Sequence, residues 1–404
     1  MPTFSNPPTL QGYLRSDGRK GIRNYIVVAY LVECAHHVAR SIVEAFRGRP
    51  VHLIGFGGCY PNAYADRMMH ALCTHPNVGG ALLVSLGCES FNRNRLVEHI
   101  ASTGRPVQTL IIQQSGGTRK TIAAGTAWVN DALQQIAALP TAPLQANELV
   151  IGTICGGSDA TSGISANPAV GRAFDLLVEQ GAAAIFEETG EMIGLEDAMS
   201  SRAVTKELGR ELKKSVEKAA RYYRIMGHAS FAPGNAEGGL TTIEEKSIGA
   251  YCKSGDAAIS GLIKPGDIPY KGGLYLLDVV PDGEPRFGFP NINDNAEIAE
   301  LIACGSHLIL FTTGRGSVVG SAISPVIKIC ANPETYDRMS EDMDVNAGKI
   351  LRLQASVDEV GREIFEQVLQ VASGKETCSE ALGHQEFVLT YKSFEPIGPA
   401  CLPA

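Results

Sequence analysis

Apolar runs without polar alternation recur through the first third of this chain, and each is followed by a segment with helical spacing. IRNYIVVAYLVEC, VHLIGFGGC, GALLVSL and PVQTLIIQQ read as strands, because a strand covered by helices on both sheet faces has no polar side. AHHVARSIVEAF sets Val38, Ile42 and Phe46 four residues apart, an amphipathic helix. NAYADRMMHALCTH, NRLVEHIAS and TRKTIAAGTAWVNDALQQIAAL fill the corresponding places after the next three strands. Alternating strand and helix predicts a doubly wound parallel sheet. TAPLQANE (141–148), with its proline, predicts the boundary of that unit.

The pattern resumes with strand ELVIGTIC, helix AVGRAFDLLVEQ, strand AAAIFEE and a polar helical stretch to about Tyr223. A Gly/Pro-rich loop, APGNAEGG, leads into helix TTIEEKSIGAYC, strand GLYLLDVV, helix NAEIAELIAC and strands HLILFTT and SPVIKICA. In the last helix Ser356 and Glu359 form a capping box, and Val357, Val360, Ile364, Val368 and Val371 form its apolar face. The expected fold class is α/β: two doubly wound, mostly parallel-sheet lobes with a ligand site at strand C-terminal ends. Residues 1–145 form the first lobe, and 146–404 the second with its C-terminal helix.

Four of these strands run into a cysteine: Cys34, Cys59, Cys88 and Cys155. Ligands of open α/β sheets bind beyond the carboxyl ends of the strands, so thiols repeated there suggest a soft metal or a reactive centre. Cysteine is also a small buried hydrophobe that suits a strand end. Composition narrows the classes. With 404 residues and 44% hydrophobic content the chain can build two domain cores. A net charge of −8, with no basic block among aromatics, argues against a nucleic-acid partner. No apolar run approaches the roughly 20 residues that span a bilayer, and the N-terminus lacks a signal-peptide layout. Ten scattered cysteines then point to a reducing, cytoplasmic setting with free thiols.

Four polar stretches carry candidate chemistry. CGGSDATSGISANPAVG places Cys155, Ser158, Asp159, Thr161 and Ser162 on a loop, with Asn167 as an N-cap and Pro168 opening an anion-favouring helix. FEETGEMIG sets Glu187, Glu188 and Glu191 just past a strand, where clustered carboxylates call for a shared cation or proton. TTIEEKSIG carries Glu244, Glu245 and Lys246, which diverge by about 100° per residue on a helix. Thr241–Glu244 or Thr242–Glu245 could serve as a capping box, leaving Lys246 and the other glutamate for proton transfer. FTTGRGSVVG has the wrong spacing, and the wrong following element, for a dinucleotide loop. Arg315 on it could bind a carboxylate through its planar fork. His36 and His37 diverge on a helix and read as packing or surface residues.

GYLRSDGRKGIRNY, HPNVGGALLVSLGCE, QQSGGT, CGGSDATSGISANPAVG, EGGLTTIEEKSIG, LILFTTGRGS and DMDVNAG, in this order, resemble the altronate and galactarate dehydratase family from Gly12 nearly to the end. The related sulfolactate sulfo-lyase large subunit is similar through CGGSD, EGGLTTIEEKSIG and SPVIKICANPETYDRMSE. The resemblance implies a divalent-metal lyase, with Fe2+ or Mn2+ and neither nicotinamide nor flavin. It would take a proton from beside the carboxylate of an acidic sugar and expel the β-hydroxyl, giving a 2-keto-3-deoxy acid. On this reading Cys155, Glu188 and Glu191 ligate the metal, and Lys246 or Glu245 transfers protons. Arg23, Asn24, Ser158, Asp159, Asn167 and Arg315 would bind substrate.

The resemblance to the sulfo-lyase singles out Cys155 among the four strand-end cysteines and argues against an iron–sulfur cluster. Single-chain relatives carry an N-terminal antifreeze-like SAF domain, whereas eleven residues precede Gly12 here, which implies a separate small SAF-domain subunit. A homo-oligomer is also expected. FGGCYPNAYADRM departs from the dehydratases' GGC-G-Q stretch, leaving open a sulfo-lyase or a non-catalytic sugar-acid-binding protein.

Overall fold

In a computed structural model, residues 10–227, 230–283 and 293–390 are described. Strands β1 (Leu10–Leu14), β2 (Lys20–Gly21) and β7 (Thr141–Leu144) form a small antiparallel sheet. TAPL of the expected linker is therefore a strand. Its proline is tolerated because β7 pairs on one side only, where a missing donor breaks no ladder.

Strands β3 (Tyr25–Tyr30), β4 (Val51–Gly55), β5 (Val78–Ser85) and β6 (Val107–Ile111) form a parallel sheet in the order β4-β3-β5-β6. They alternate with helices α1 (Glu33–Glu44), α2 (Ala63–Cys73), α3 (Arg93–Ser102) and α4 (Thr118–Ala137). All eight residues of β5 are buried, as expected of a strand with helices on both faces.

The larger sheet holds β8 (Val150–Cys155), β9 (Ala183–Phe186), β10 (Ile259–Ile263), β11 (Gly273–Leu277), β12 (Leu308–Thr313), β13 (Val326–Cys330) and β14 (Val345–Asn346). Their order is β10-β11-β9-β8-β12-β13-β14, with every pair parallel. β9 follows β8 on one side and β13 follows β12 on the other, so the switch point lies between β8 and β12. The helices are α5 (Ala166–Glu179), α6 (Glu196–Ser201), α7 (Lys206–Met226), α8 (Pro233–Glu237), α9 (Ile243–Tyr251), α10 (Asp294–Ala303), α11 (Pro333–Arg338), α12 (Val357–Ala372) and α13 (Cys378–Leu382).

Period-two alternation builds the layers. Leu308 and Leu310 of β12 face Phe174 of α5 and Ile364 of α12. Ile309 and Phe311 face the opposite way, into a core shared by α10, by α2 and α3, and by Val27 and Ala29 of β3. Ile26 and Val28 of β3 turn to α1 and α4. The two parallel sheets are thus joined through one middle helical layer. The Ser356–Glu359 capping box is present at the start of α12.

Candidate active site

Three neighbouring strands deliver the site. β8 ends at Cys155, β9 leads into Glu188 and Glu191, and β12 leads into Arg315. The loops after β8 and β12 are tied across the switch point: Gly156 N–H donates to Thr312 O at 3.0 Å, and Arg315 N–H to Gly157 O at 2.9 Å. Gly156 has no room for a side chain, since a Cβ there would stand 2.3 Å from both Asp294 Oδ2 and the Phe311 ring. A cavity of about 600 Å³ opens here, lined by Cys155, Ser158, Glu188, Glu191, Lys246 and Arg315 among others.

At its floor the ligand atoms of Cys155, Glu188 and Glu191 all lie within 4.8 Å of one another, and all three residues are buried. Cys155 Sγ stands 3.1 Å from Glu188 Oε1, 3.4 Å from Glu191 Oε2 and 3.1 Å from the Ser158 hydroxyl that donates to it. Each carboxylate gives its other oxygen to a lysine. Lys246 Nζ is 2.5 Å from Glu191 Oε1, and the fully buried Lys253 pairs with Glu188 Oε2. Glu188 reaches this position from a left-handed backbone, φ 78°, a conformation that costs a non-glycine residue about 1–3 kcal/mol. Ser230 and Lys246 complete the rim: the Ser230 hydroxyl donates to Glu191 Oε1 at 3.2 Å, and Lys246 Nζ to Ser230 O at 2.8 Å.

Burial, with the charges of Glu188 and Glu191, pushes the Cys155 thiol well up. Burial and Glu191 push Glu188 up to about 7, against the pull of Lys253. Burial would raise Glu191 too, but Lys246 and Lys253 outweigh it and hold that carboxyl below its ordinary value. Burial would lower Lys246, but Glu191 and Cys155 keep it firmly protonated. One sulfur and two carboxylate oxygens turned toward each other, away from the lysines, suit a borderline divalent ion, and such an ion would stabilise the thiolate.

Not every expected residue joins this constellation. Arg23 forks onto Glu380 (Nε–Oε1 2.7 Å, Nη2–Oε2 2.9 Å) and donates to Val371 O and Lys375 O. Asn24 accepts from Arg15 at 2.9 Å and donates to Ile136 O. Neither lines the cavity, and the bonds both make brace the fold. Glu245 is also corrected: it is exposed, its carboxylate takes Thr241 N–H and Oγ1–H, and its own N–H donates to Thr242. It caps α9. Asn167 is not the N-cap, because α5 already starts at Ala166; its amide donates to Gly249 O at 3.0 Å. Asp159 stands behind the wall, accepting from Thr161, Ser162 and Asn332 and packing on Gly314, so it positions the two loops.

Lys253 was missed by the sequence reading, although a signal existed. It follows Lys246 by seven residues, the spacing of two helical turns, and lies in the 3-10 turn that continues from α9. Asp294, Glu297 and Tyr223 also line the cavity. Glu187 is fully buried and is pushed well above the carboxylate range by burial and then by Glu297.

Parallel strands converging on a buried thiol–carboxylate–lysine site define a metabolic α/β enzyme. Residues 12–137 match the family described as D-galactarate dehydratase/altronate hydrolase, second domain, and residues 146–394 match D-galactarate/altronate dehydratase, C-terminal. The chain belongs to this family of lyases. It is 34% identical over 395 residues to the (2R)-sulfolactate sulfo-lyase subunit beta of Chromohalobacter salexigens, covering 95% of this chain and 97% of that one. It is 33% identical to the galactarate dehydratase (L-threo-forming) of Escherichia coli, covering 93% and 75% of the two chains. The altronate dehydratase of Bacillus subtilis is 28% identical, with 91% and 74% covered. Among the described residues no helix is long and apolar enough to cross a membrane.

Proposed function

We propose that this chain dehydrates an acidic sugar, an aldonate or aldarate such as altronate or galactarate, to a 2-keto-3-deoxy acid. The observation that carries the reading is the Cys155–Glu188–Glu191 group at the switch point, with Lys246 beside it. Cys155, Glu188 and Glu191 would hold Fe2+ or Mn2+, whose Lewis acidity would make the α-proton easier to remove, and Asp294 on the cavity wall, its carboxyl raised by burial, would take that proton. Arg315, on the rim, would bind the substrate carboxylate through its fork. Lys246, kept protonated, is suited to hand a proton to the departing β-hydroxyl, which leaves as water. Ser158 would steady the thiolate through its hydroxyl. The enzyme would work in the cytoplasm as a homo-oligomer, with a separate small SAF-domain subunit.

A second reading has its own support. The sulfo-lyase subunit is matched along nearly its full length, which favours loss of sulfite from a 3-sulfo-2-hydroxy acid. One experiment separates them. The protein, coexpressed with a small partner chain and loaded anaerobically with Fe2+ or Mn2+, is given altronate, galactarate or sulfolactate. Formation of 2-keto-3-deoxy acid is the expected result. Sulfite release without dehydration selects the second reading. Binding of these acids without metal or turnover overturns both and leaves a binding protein.

A further inference from the structure

Cys155 accounts for one of the four strand-end thiols; the other three gather elsewhere. Of the nine described cysteines, Cys34, Cys59 and Cys88 are exposed, while the other six are buried or half-buried. Cysteine is among the residues most often buried, so three exposed ones at a single edge need a cause beyond packing.

We propose that Cys34, Cys59 and Cys88 form a three-thiolate site for an iron–sulfur cluster at the carboxyl edge of the four-stranded sheet. The three follow β3, β4 and β5, which lie side by side in the order β4-β3-β5. Chain order reverses between β3 and β5, making this the sheet's ligand-binding switch point. Backbone bonds draw the loops together. Glu33 N–H, next to Cys34, donates to Gly57 O at 3.0 Å, and Ser90 N–H, two residues after Cys88, donates to Cys59 O at 2.9 Å. The Gly57–Cys59 loop is thus stitched to both of the others. Glu89 fixes the third loop by accepting from Gly87 N–H at 2.9 Å and from the Ser85 hydroxyl. Gly87 itself needs φ 124°, a backbone suited to glycine. Beside Cys34, α1 opens at Val32 without a side-chain cap, and its first turn carries Glu33, whose N–H is the one tied to Gly57 O.

These sulfurs are not among the ligand atoms that converge within 4.8 Å, so a single ion does not reach all three as the loops stand. A cluster distributes its cysteine ligands over several irons, so its thiolates need not converge on one atom. The expectation against a cluster came from the resemblance to the sulfo-lyase, which singles out Cys155; against it stands the placing of the other three thiols together on a separate sheet.

The full chain, purified anaerobically and reconstituted with ferric iron, sulfide and a reducing thiol, which supply both iron oxidation states of a cluster, tests this. Bound iron and acid-labile sulfide, several of each per chain, with a broad visible absorption band, are expected. Cys34→Ser, Cys59→Ser and Cys88→Ser should each lose most of the sulfide, and Cys155→Ser should keep it. Should a serine variant fail to fold, alkylation of the folded wild-type chain, mapped by mass spectrometry, decides instead. The three cysteines should be protected after reconstitution and labelled after chelation. No retained sulfide, retention by all three variants, labelling indifferent to reconstitution, or zinc as the sole bound metal would each overturn the proposal.

Discussion

Glu245 and Lys246 are adjacent in sequence and opposite in role, because about 100° of helical rotation separates them. Lys246→Met should therefore abolish most turnover, whereas Glu245→Ala should leave kcat intact and slightly lower Tm through the lost cap; equal losses of kcat would contradict the division. Cys155→Ser should remove the metal and most of kcat, while Cys73→Ser, in the core side of α2, should lower Tm and spare kcat. Metal content and melting curves on both variants check this. Arg315 is held at the rim by Gly234 O and by Glu237 Oε2 at 3.0 Å, a contact that a substrate carboxylate would displace. Its fork exceeds a lysine's point charge by one charge-assisted bond, about 1.5–3 kcal/mol, so Arg315→Lys should lose about ten- to a hundred-fold in kcat/KM. Wild-type kinetics would remove Arg315 from the site. Sequence spacing located the chemistry-bearing runs, and Cys155, Glu188 and Glu191 were among the residues named from it. It could not separate Arg23, which anchors a remote helix, from Arg315, which reaches a cavity: both are arginines among glycines, and only tertiary contacts distinguish them.

At the scale of elements, apolar runs and helical periodicity were legible wherever both faces of a strand are covered, as in β5 or β12. Elements that depend on distant partners were not. β7 exists because β1 pairs with it, and β10 because β11 does. The short helix α13 is tied to the first lobe by Arg23–Glu380 and by Tyr25 Oη–Glu380 Oε1 at 2.9 Å. Burial alone would raise the Glu380 carboxyl, but Arg23 overrides it and holds it below its ordinary value. A carboxyl whose folded pKa is depressed contributes stability above its unfolded value of about 4.3 and loses it as pH falls through the folded value. Glu380→Gln, which leaves Arg23 buried without its partner, should cost about 3 kcal/mol near neutrality. The gap from wild type should narrow between about pH 7 and pH 3. Urea midpoints measured at both ends of that range decide it; a gap constant with pH would mean that the pair carries no such stability.

For the whole molecule, the middle layer of α2, α3 and α10 makes the two sheets one body, so the site is built on a rigid frame. The relatives differ in how much of themselves this frame represents. It spans 97% of the sulfo-lyase subunit, but 75%, 74% and 79% of three dehydratases. The two matched family regions are a second and a C-terminal domain, so the dehydratases carry a further segment that this chain's match does not include. If that segment supplies groups to the cavity, the frame should fold and take up metal without it, since Cys155, Glu188, Glu191 and both lysines are all in place. Turnover should still be low, because a cavity of about 600 Å³ that opens to solvent leaves the substrate hydrated and loosely oriented. The 404-residue chain alone is therefore expected to show a sharp thermal transition, bound metal and slow turnover. Addition of a separately expressed small chain should raise kcat more than it changes metal content. Full dehydratase activity from the 404 residues unaided would show that the frame already holds every group the reaction needs.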